Sequence, residues 1–224
     1  MGWIINTLTS SIGKKLVMSL TGLFLCTFLL VHLYGNSNLF GEPAAAKLSF
    51  DGFSKFMSTF PPLRVLELGL FLGFVLHITQ GVMLYFQNKS ARPIGYAKMP
   101  GNETSPLLSR TMIWTGSFVF FFLVVHVKQF FVDIRLTQGH EASMYDGVKA
   151  AFENPTYSAL YLVALLFLAL HLNHGFQSAF QTLGLNSKKY TPIIKALGLL
   201  YSILIPLGFA LMPIYFLLKK CNCI

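Results

Sequence analysis

The sequence predicts an all-α membrane protein, a single domain over residues 1–224 built as a bundle of five transmembrane helices. Three observations carry that expectation. Of the 224 residues, 54% are hydrophobic and only 11% charged, against about a quarter charged in soluble domains. Five apolar runs each supply the ~20 residues that cross a hydrocarbon core. Turn-rich stretches separate the runs, and in lipid the backbone must satisfy its own hydrogen bonds, which makes each run a helix. A disordered chain, a disulfide-stapled secreted module and an ordinary water-soluble enzyme are excluded by the same composition. The net charge of +9 does not point to nucleic acid, because the Lys and Arg residues are scattered as basic flanks of hydrophobic blocks.

The spans are expected near 12–34, 63–86, 110–132, 157–183 and 192–218. Lys14 and Lys15 precede the apolar run of the first, as they would in a signal peptide. However, its apolar run outlasts the usual 7–15 residues, and no A-x-A cleavage site follows. The stretch 35–62 reads as turn, opening on Gly-Asn-Ser-Asn and closing on Pro61-Pro62; 88–109 and 133–155 read likewise. The short 184–191 connection makes the last two spans antiparallel neighbours. Pro206 and Pro213 are the breaks within the last span. Basic residues at Lys14, Lys15, Lys89, Arg92, Lys98, Arg110, Lys188, Lys189 and Lys195 favour an N-terminus on the inner side, since the other side's loops are longer and count less.

Of the six histidines, all but His140 fall inside these spans. Ionisable side chains in a bilayer are costly and usually face a ligand, a partner or a proton path. His32, His77, His126 and His171 stand on four different helices, and paired imidazoles on facing bundle helices are how a protein holds a b-type haem. At ~1.5 Å per residue, His32 and His126 lie roughly 30 and 24 Å from the inner ends of their helices, and His77 and His171 roughly 14 and 18 Å. Two haems at different heights follow: an outer one on His32 and His126, an inner one on His77 and His171. Cys26, Cys221 and Cys223 lie in no C-x-x-C-H motif, so covalent haem attachment is excluded.

Matched spacings support the pairs. Thr21-Gly22 precedes His32 as Thr115-Gly116 precedes His126, and Gly81 follows His77 as Gly175 follows His171. Gly81 and Gly175 sit one turn from their histidines, where a missing side chain leaves room for a flat macrocycle. Gly22 and Gly116 fall at the level of the inner haem. Packing of small residues between helices is the competing explanation. His171 and His174 compete for one axial position, and the matched His-to-Gly spacing selects His171. That leaves His174 for a propionate, a quinone or a neighbouring helix. His140 is expected to be solvated.

These residues give the chain a resemblance to a known family. The stretches Ser19–Leu25 with His32, Leu63–Glu67 with His77-Ile-Thr-Gln-Gly81, Thr115-Gly116 with His126, and His171 through Gly175 to Gly184 resemble the five-helix, dihaem cytochrome b membrane anchor of succinate:quinone oxidoreductases. The resemblance covers nearly the whole chain. It implies that His32, His77, His126 and His171 are axial ligands and that the fifth helix supplies none. Its further implications are a flavoprotein subunit with FAD and an iron–sulfur subunit as partners, a bacterial cytoplasmic membrane, and quinone, by analogy menaquinone, as substrate. Neither a dinucleotide fingerprint nor a cysteine cluster occurs here, so dicarboxylate chemistry would belong to the partners. Some relatives carry a glutamate two residues before the fourth ligand; here that position is Ala169.

Haem propionates want cations and hydroxyls. Ser19 matches a family position near the inner haem, Lys15 and Arg110 are further inner-side candidates, and Arg64 is the outer one. Glu67 is a candidate acid at a quinone, although an i, i+3 ion pair with Arg64 accounts for both residues. Two alternatives stay open: a cytochrome b subunit of another membrane oxidoreductase, such as a hydrogenase or formate dehydrogenase, and a haem-free bundle using its histidines for packing or protons.

Overall fold

The computed structural model describes residue 2 and residues 10–91, 111–139 and 142–223. Arg110, His140 and most of the 88–109 connection lie outside the described residues. Among the described residues, five helices are long and apolar enough to cross a membrane. They are α1 (Ser11–Asn36), α3 (Pro61–Ser90), α4 (Met112–His126, continued by a π-helix, Val127–Gln138), α6 (Pro155–Thr182) and α7 (Thr191–Lys220). Each outruns or matches its expected span by a few residues. Their surfaces carry exposed leucines and phenylalanines such as Leu66, Leu72, Phe118, Phe121 and Leu204, as a lipid-facing bundle requires. The face at the N-terminus of α1 is called the near side below, and the opposite face the far side.

Local chemistry accounts for the boundaries. Ser10 caps α1 by accepting from the Gly13 amide at 3.0 Å, and Asn154 caps α6 through the Thr156 and Tyr157 amides. Prolines open α3, α6 and α7 at the first turn, where a missing N–H costs nothing. Pro206 and Pro213, expected as breaks, lie inside a continuous α7 and are buried.

The turn-rich reading of 35–62 and 133–155 is corrected by the structure. A short 3-10 turn (Ser37–Leu39) leads into an amphipathic helix, α2 (Pro43–Thr59), and a second short helix, α5 (Met144–Phe152), occupies the equivalent far-side connection. Proline at the first turn and the Ala-rich start favour α2, and Ala46 and Phe50, one turn apart, point one face inward. Asp51 ties the two straps together, accepting from the Ser143 hydroxyl at 2.7 Å and the Tyr145 amide at 2.8 Å, while Lys47 pairs with Asp146. Leu39, Phe50, Tyr145, Phe152, Tyr161, Met212 and Phe216 form the buried core they cover, so the tightest apolar packing sits at the far side.

Within the bundle α1 packs on α3, α4 on α6, and α1 on α6; α7 lies mainly along α6. The α3–α4 seam is much lighter. Four helices thus enclose an interior, with α7 outside it.

Candidate functional site

Apolar helices bring their few polar residues inward because lipid offers no partner for them. The four expected ligands obey this rule and meet in twos. The rings of His32 on α1 and His126 on α4 have centres 5.8 Å apart and planes crossed at 88°. The rings of His77 on α3 and His171 on α6 have centres 6.3 Å apart and cross at 74°. The expected pairs are therefore the observed ones, on diagonal helices. His174 is half-buried and, among the described residues, enters neither pair.

The two pairs lie at different heights. Gly22 on α1 faces His77 directly, so those two residues share a level. His32 is ten residues farther along α1, ~15 Å toward the far side. The pairs therefore divide a hydrocarbon core ~30 Å thick into two steps.

Each pair has its own surroundings. At the far level, Phe28 and Phe209 flank His32, and Phe122 and Phe130 flank His126, all with ring centres 5.2–5.6 Å away. The Tyr161 hydroxyl on α6 lies 3.2 Å from Nδ1 of His126, a contact that orients the ring and points Nε2 away from it. At the near level, the Thr21 hydroxyl lies 3.3 Å from Nδ1 of His77. A Cβ on Gly22 would stand 3.2 Å from Cε1 of His77, and one on Gly116 would stand 3.3 Å from Cε1 of His171. These two glycines seat the near imidazoles. Gly81 and Gly175 face the methyl ends of Met18 and Met112, where a Cβ would find 3.4 and 3.5 Å.

The anionic-group candidates fare differently. Ser19 is buried, and its hydroxyl donates to the Lys15 carbonyl at 2.9 Å. Lys15 itself is exposed, so it is not brought into the interior. Arg64 is 44% exposed and bonds to Glu67 at 2.5 Å, the ion pair expected from sequence. A residue absent from that expectation joins it: Arg135, 14% exposed, reaches across the α3–α4 seam to the same Glu67 oxygen at 2.9 Å. Glu67 is shared by two guanidinium groups.

Three facts bear on what the interior can hold. Among the described residues, no group of three or more His, Cys, Asp or Glu is placed to bind a bare metal ion. Two imidazoles alone suit an iron whose other ligands come from a macrocycle. Metal–nitrogen bonds of ~2 Å, plus ~1 Å from each nitrogen to its ring centre, separate axial imidazole centres by ~6 Å, the spacing of both pairs. Finally, the buried side-chain polar atoms without a partner among the described residues are Oε1 of Gln80, Oε1 of Gln129, Nη2 of Arg135 and Nδ1 of His171. Gln80 and Gln129 each stand three residues after a paired histidine. The unsatisfied polarity is confined to the helices that carry the pairs, and the residues present fit a b-type haem at each level.

Met18, Met112, Tyr161, Gln80, Gln129 and Arg135 were not among the expected residues. A signal for several of them was available. Thr21, Gly22, Phe28 and His32 recur at Thr115, Gly116, Phe122 and His126, and His77 and Gly81 recur at His171 and Gly175, always 94 positions on. At the same offset Met18 matches Met112, Glu67 matches Tyr161, and Gln80 matches His174. The first and second helix pairs of the interior thus share a pattern of residues repeated at one offset, with differences at Glu67/Tyr161 and Gln80/His174. In comparisons with protein families, curated proteins and solved structures, nothing matches the chain.

Proposed function

We propose that the chain is a dihaem cytochrome b that moves electrons across a membrane, and that it serves as the anchor of a succinate:quinone oxidoreductase. The observation that carries the first part is the two diagonal histidine pairs, with ring centres 5.8 and 6.3 Å apart at separate heights. The second part rests on the resemblance of the motifs around those histidines.

On this reading His32 and His126 would hold the far haem and His77 and His171 the near one. Bound there, a b-type haem supplies an iron that gains and loses one electron. The chain's own contribution is positional. Tyr161 holds the His126 ring from its Nδ1 side, and Thr21 does the same for His77. Gly22 and Gly116 let the near imidazoles lie against helix backbone. The phenylalanines that flank the far pair would keep water from the ring faces and give a haem bound there a low-dielectric setting. Partners would be an iron–sulfur subunit docked on the near side, a flavoprotein subunit beyond it, and a quinone, by analogy menaquinone, in the lipid. The membrane would be a bacterial cytoplasmic one, with the N-terminus in the cytoplasm.

The test is a haem count by absorption spectroscopy on the purified chain. Two b-type haems are expected, falling to one in His32→Ala, His126→Ala, His77→Ala and His171→Ala, with His174→Ala keeping both. A colourless chain from iron-replete cells refutes the haem reading. Absence of co-purifying flavin and of succinate-dependent haem reduction refutes the oxidoreductase assignment alone.

A further inference from the structure

We infer that Arg135 seats a carboxylate of the group held by the far histidine pair, with Glu67 fixing the guanidinium for that task; the inference rests on the proposed function. Four observations converge. The first is charge: Arg64 and Arg135 share one carboxylate, Glu67, leaving a surplus positive charge at a site where Arg135 and Glu67 are 14% and 17% exposed. A surplus charge in such a setting calls for an anion.

The second is a donor to spare. Nη2 of Arg135 is buried and meets no partner among the described residues, while Nη1 is engaged by Glu67. A guanidinium presents its N–H groups as a planar fork matched to carboxylate oxygens. Its other face lies on the Phe131 ring, 5.1 Å from the centroid, and Phe131 meets Phe71 of α3 at 5.2 Å, so the side chain is held in the α3–α4 seam.

The third is height. Glu67 lies ten residues to the far side of His77, and His32 lies ten residues to the far side of Gly22, which shares His77's level. Both displacements are ~15 Å, so Glu67 leaves its helix at the level of the far pair. Helical side chains lean toward the helix N-terminus, so Arg135 slants down from the far end of its helix and Glu67 slants up, and they meet just above that level.

The fourth is winding. Residues Val127–Gln138 form a π-helix, and the Thr137 hydroxyl accordingly bonds the carbonyl of Val132, five residues back. At ~4.4 residues per turn, the nine residues from His126 to Arg135 make about two full turns and return to the histidine's face. At the 3.6 of an α-helix they would make two and a half turns and end on the opposite face. The π-winding is what puts Arg135 on the side of His126. Arg64, the outer cation expected from sequence, is 44% exposed and already engaged by Glu67. It is a neighbour of the seat and not the seat.

The test uses the full chain carrying His77→Ala, reconstituted in detergent with haem b or with its dimethyl ester, which has the ring but no free carboxylates. Haem b is expected to bind about 10- to 100-fold more tightly than the ester, the range for a charge-assisted hydrogen bond. Adding Arg135→Gln is expected to remove most of that preference by weakening haem b alone. It is also expected to lower the midpoint potential of the bound haem, ~59 mV for each tenfold change in favour of the oxidised state. Arg64→Gln is expected to keep the preference. A preference that survives Arg135→Gln undiminished overturns the inference and leaves the far haem site standing. Equal binding of haem b and ester before Arg135 is touched overturns it without reliance on that substitution. If the unsubstituted chain takes up no haem, the proposed function fails and the inference with it.

Discussion

Replacing Gly22 by Val puts the near pair under direct strain. The first atom added, Cβ, would stand 3.2 Å from Cε1 of His77, tighter than ordinary van der Waals contact, and 3.6 Å from its Nδ1. Alanine adds only that atom, and its helix propensity gains ~1 kcal/mol over glycine, so Gly22→Ala is expected to come out near balance. Valine adds two methyl groups beyond Cβ that must enter space held by the imidazole. Over-packing of this kind costs ~1–3 kcal/mol, which at ~1.4 kcal/mol per tenfold weakens near-level haem binding about 5- to 150-fold. The assay is haem retention per chain during detergent purification, with redox titration to separate the two centres. The expected result is graded loss of the near haem in the order Gly, Ala, Val, with the far haem retained, and the same order at Gly116 against His171. Gly81 is the contrast: its neighbour is the flexible methyl end of Met18 at 3.4 Å, so Gly81→Ala is expected to be mild. Gly69, with nothing within 4 Å of a Cβ, is the control. Full near-level occupancy in Gly22→Val would refute the claim that His77 takes iron in the orientation described.

Tyr161→Phe removes the hydroxyl 3.2 Å from Nδ1 of His126. It is expected to shift the far haem's potential and weaken its binding by ~1–3 kcal/mol while sparing the near haem, as read by titration. If each pair holds a haem iron as proposed, ring planes crossed at 88° and 74° would give the two iron d orbitals that accept imidazole π density nearly equal energies. Both oxidised haems should therefore give strongly anisotropic low-spin EPR signals, and a rhombic signal with small anisotropy contradicts that crossing. Asp51→Ala leaves the Tyr145 amide and Ser143 hydroxyl without their acceptor and is expected to cost ~1–3 kcal/mol at the far-side strap, measured by thermal melting with haem retention as a second readout. Lys47 is held above its usual pKa of 10.5, chiefly by its hydrogen bond to Asp146. A raised folded-state pKa means the contribution is complete below 10.5 and is lost as pH rises through the higher value. Melting of the wild type and Lys47→Met should therefore differ by a small, salt-sensitive amount at neutral pH and converge as pH rises past the raised pKa. A gap that widens with pH would show that the pair is not its source.

The histidine pairing was legible because a helix rises by a constant step, so position along a span becomes depth in the membrane. Counting residues separated His32 and His126 from His77 and His171 without coordinates. The strap helices were not legible. Gly-Asn-Ser-Asn and Pro-Pro punctuate 35–62 as turn, while the helical signal between them is short and gains stability only from covering the far-side core through Ala46 and Phe50. Lys15 and Arg64 were sensible cations for an anionic group by composition, and their exposure follows from which way each side chain leaves its helix.

By itself, the sequence determined five apolar spans, the four that carry the paired histidines, and the two heights at which those histidines lie. These follow from hydropathy and from a repeat distance that does not vary along an α-helix. The tertiary structure alone decided which face Arg135 presents, because the turn after His126 winds as a π-helix and reverses the angular position that an α-helical count assigns. It also decided that Tyr161, at the position equivalent to Glu67, completes the far level from the opposite helix. Heights are set by distance along one helix, which sequence records; facing is set by winding and by the neighbour across the seam, which only the packed bundle supplies.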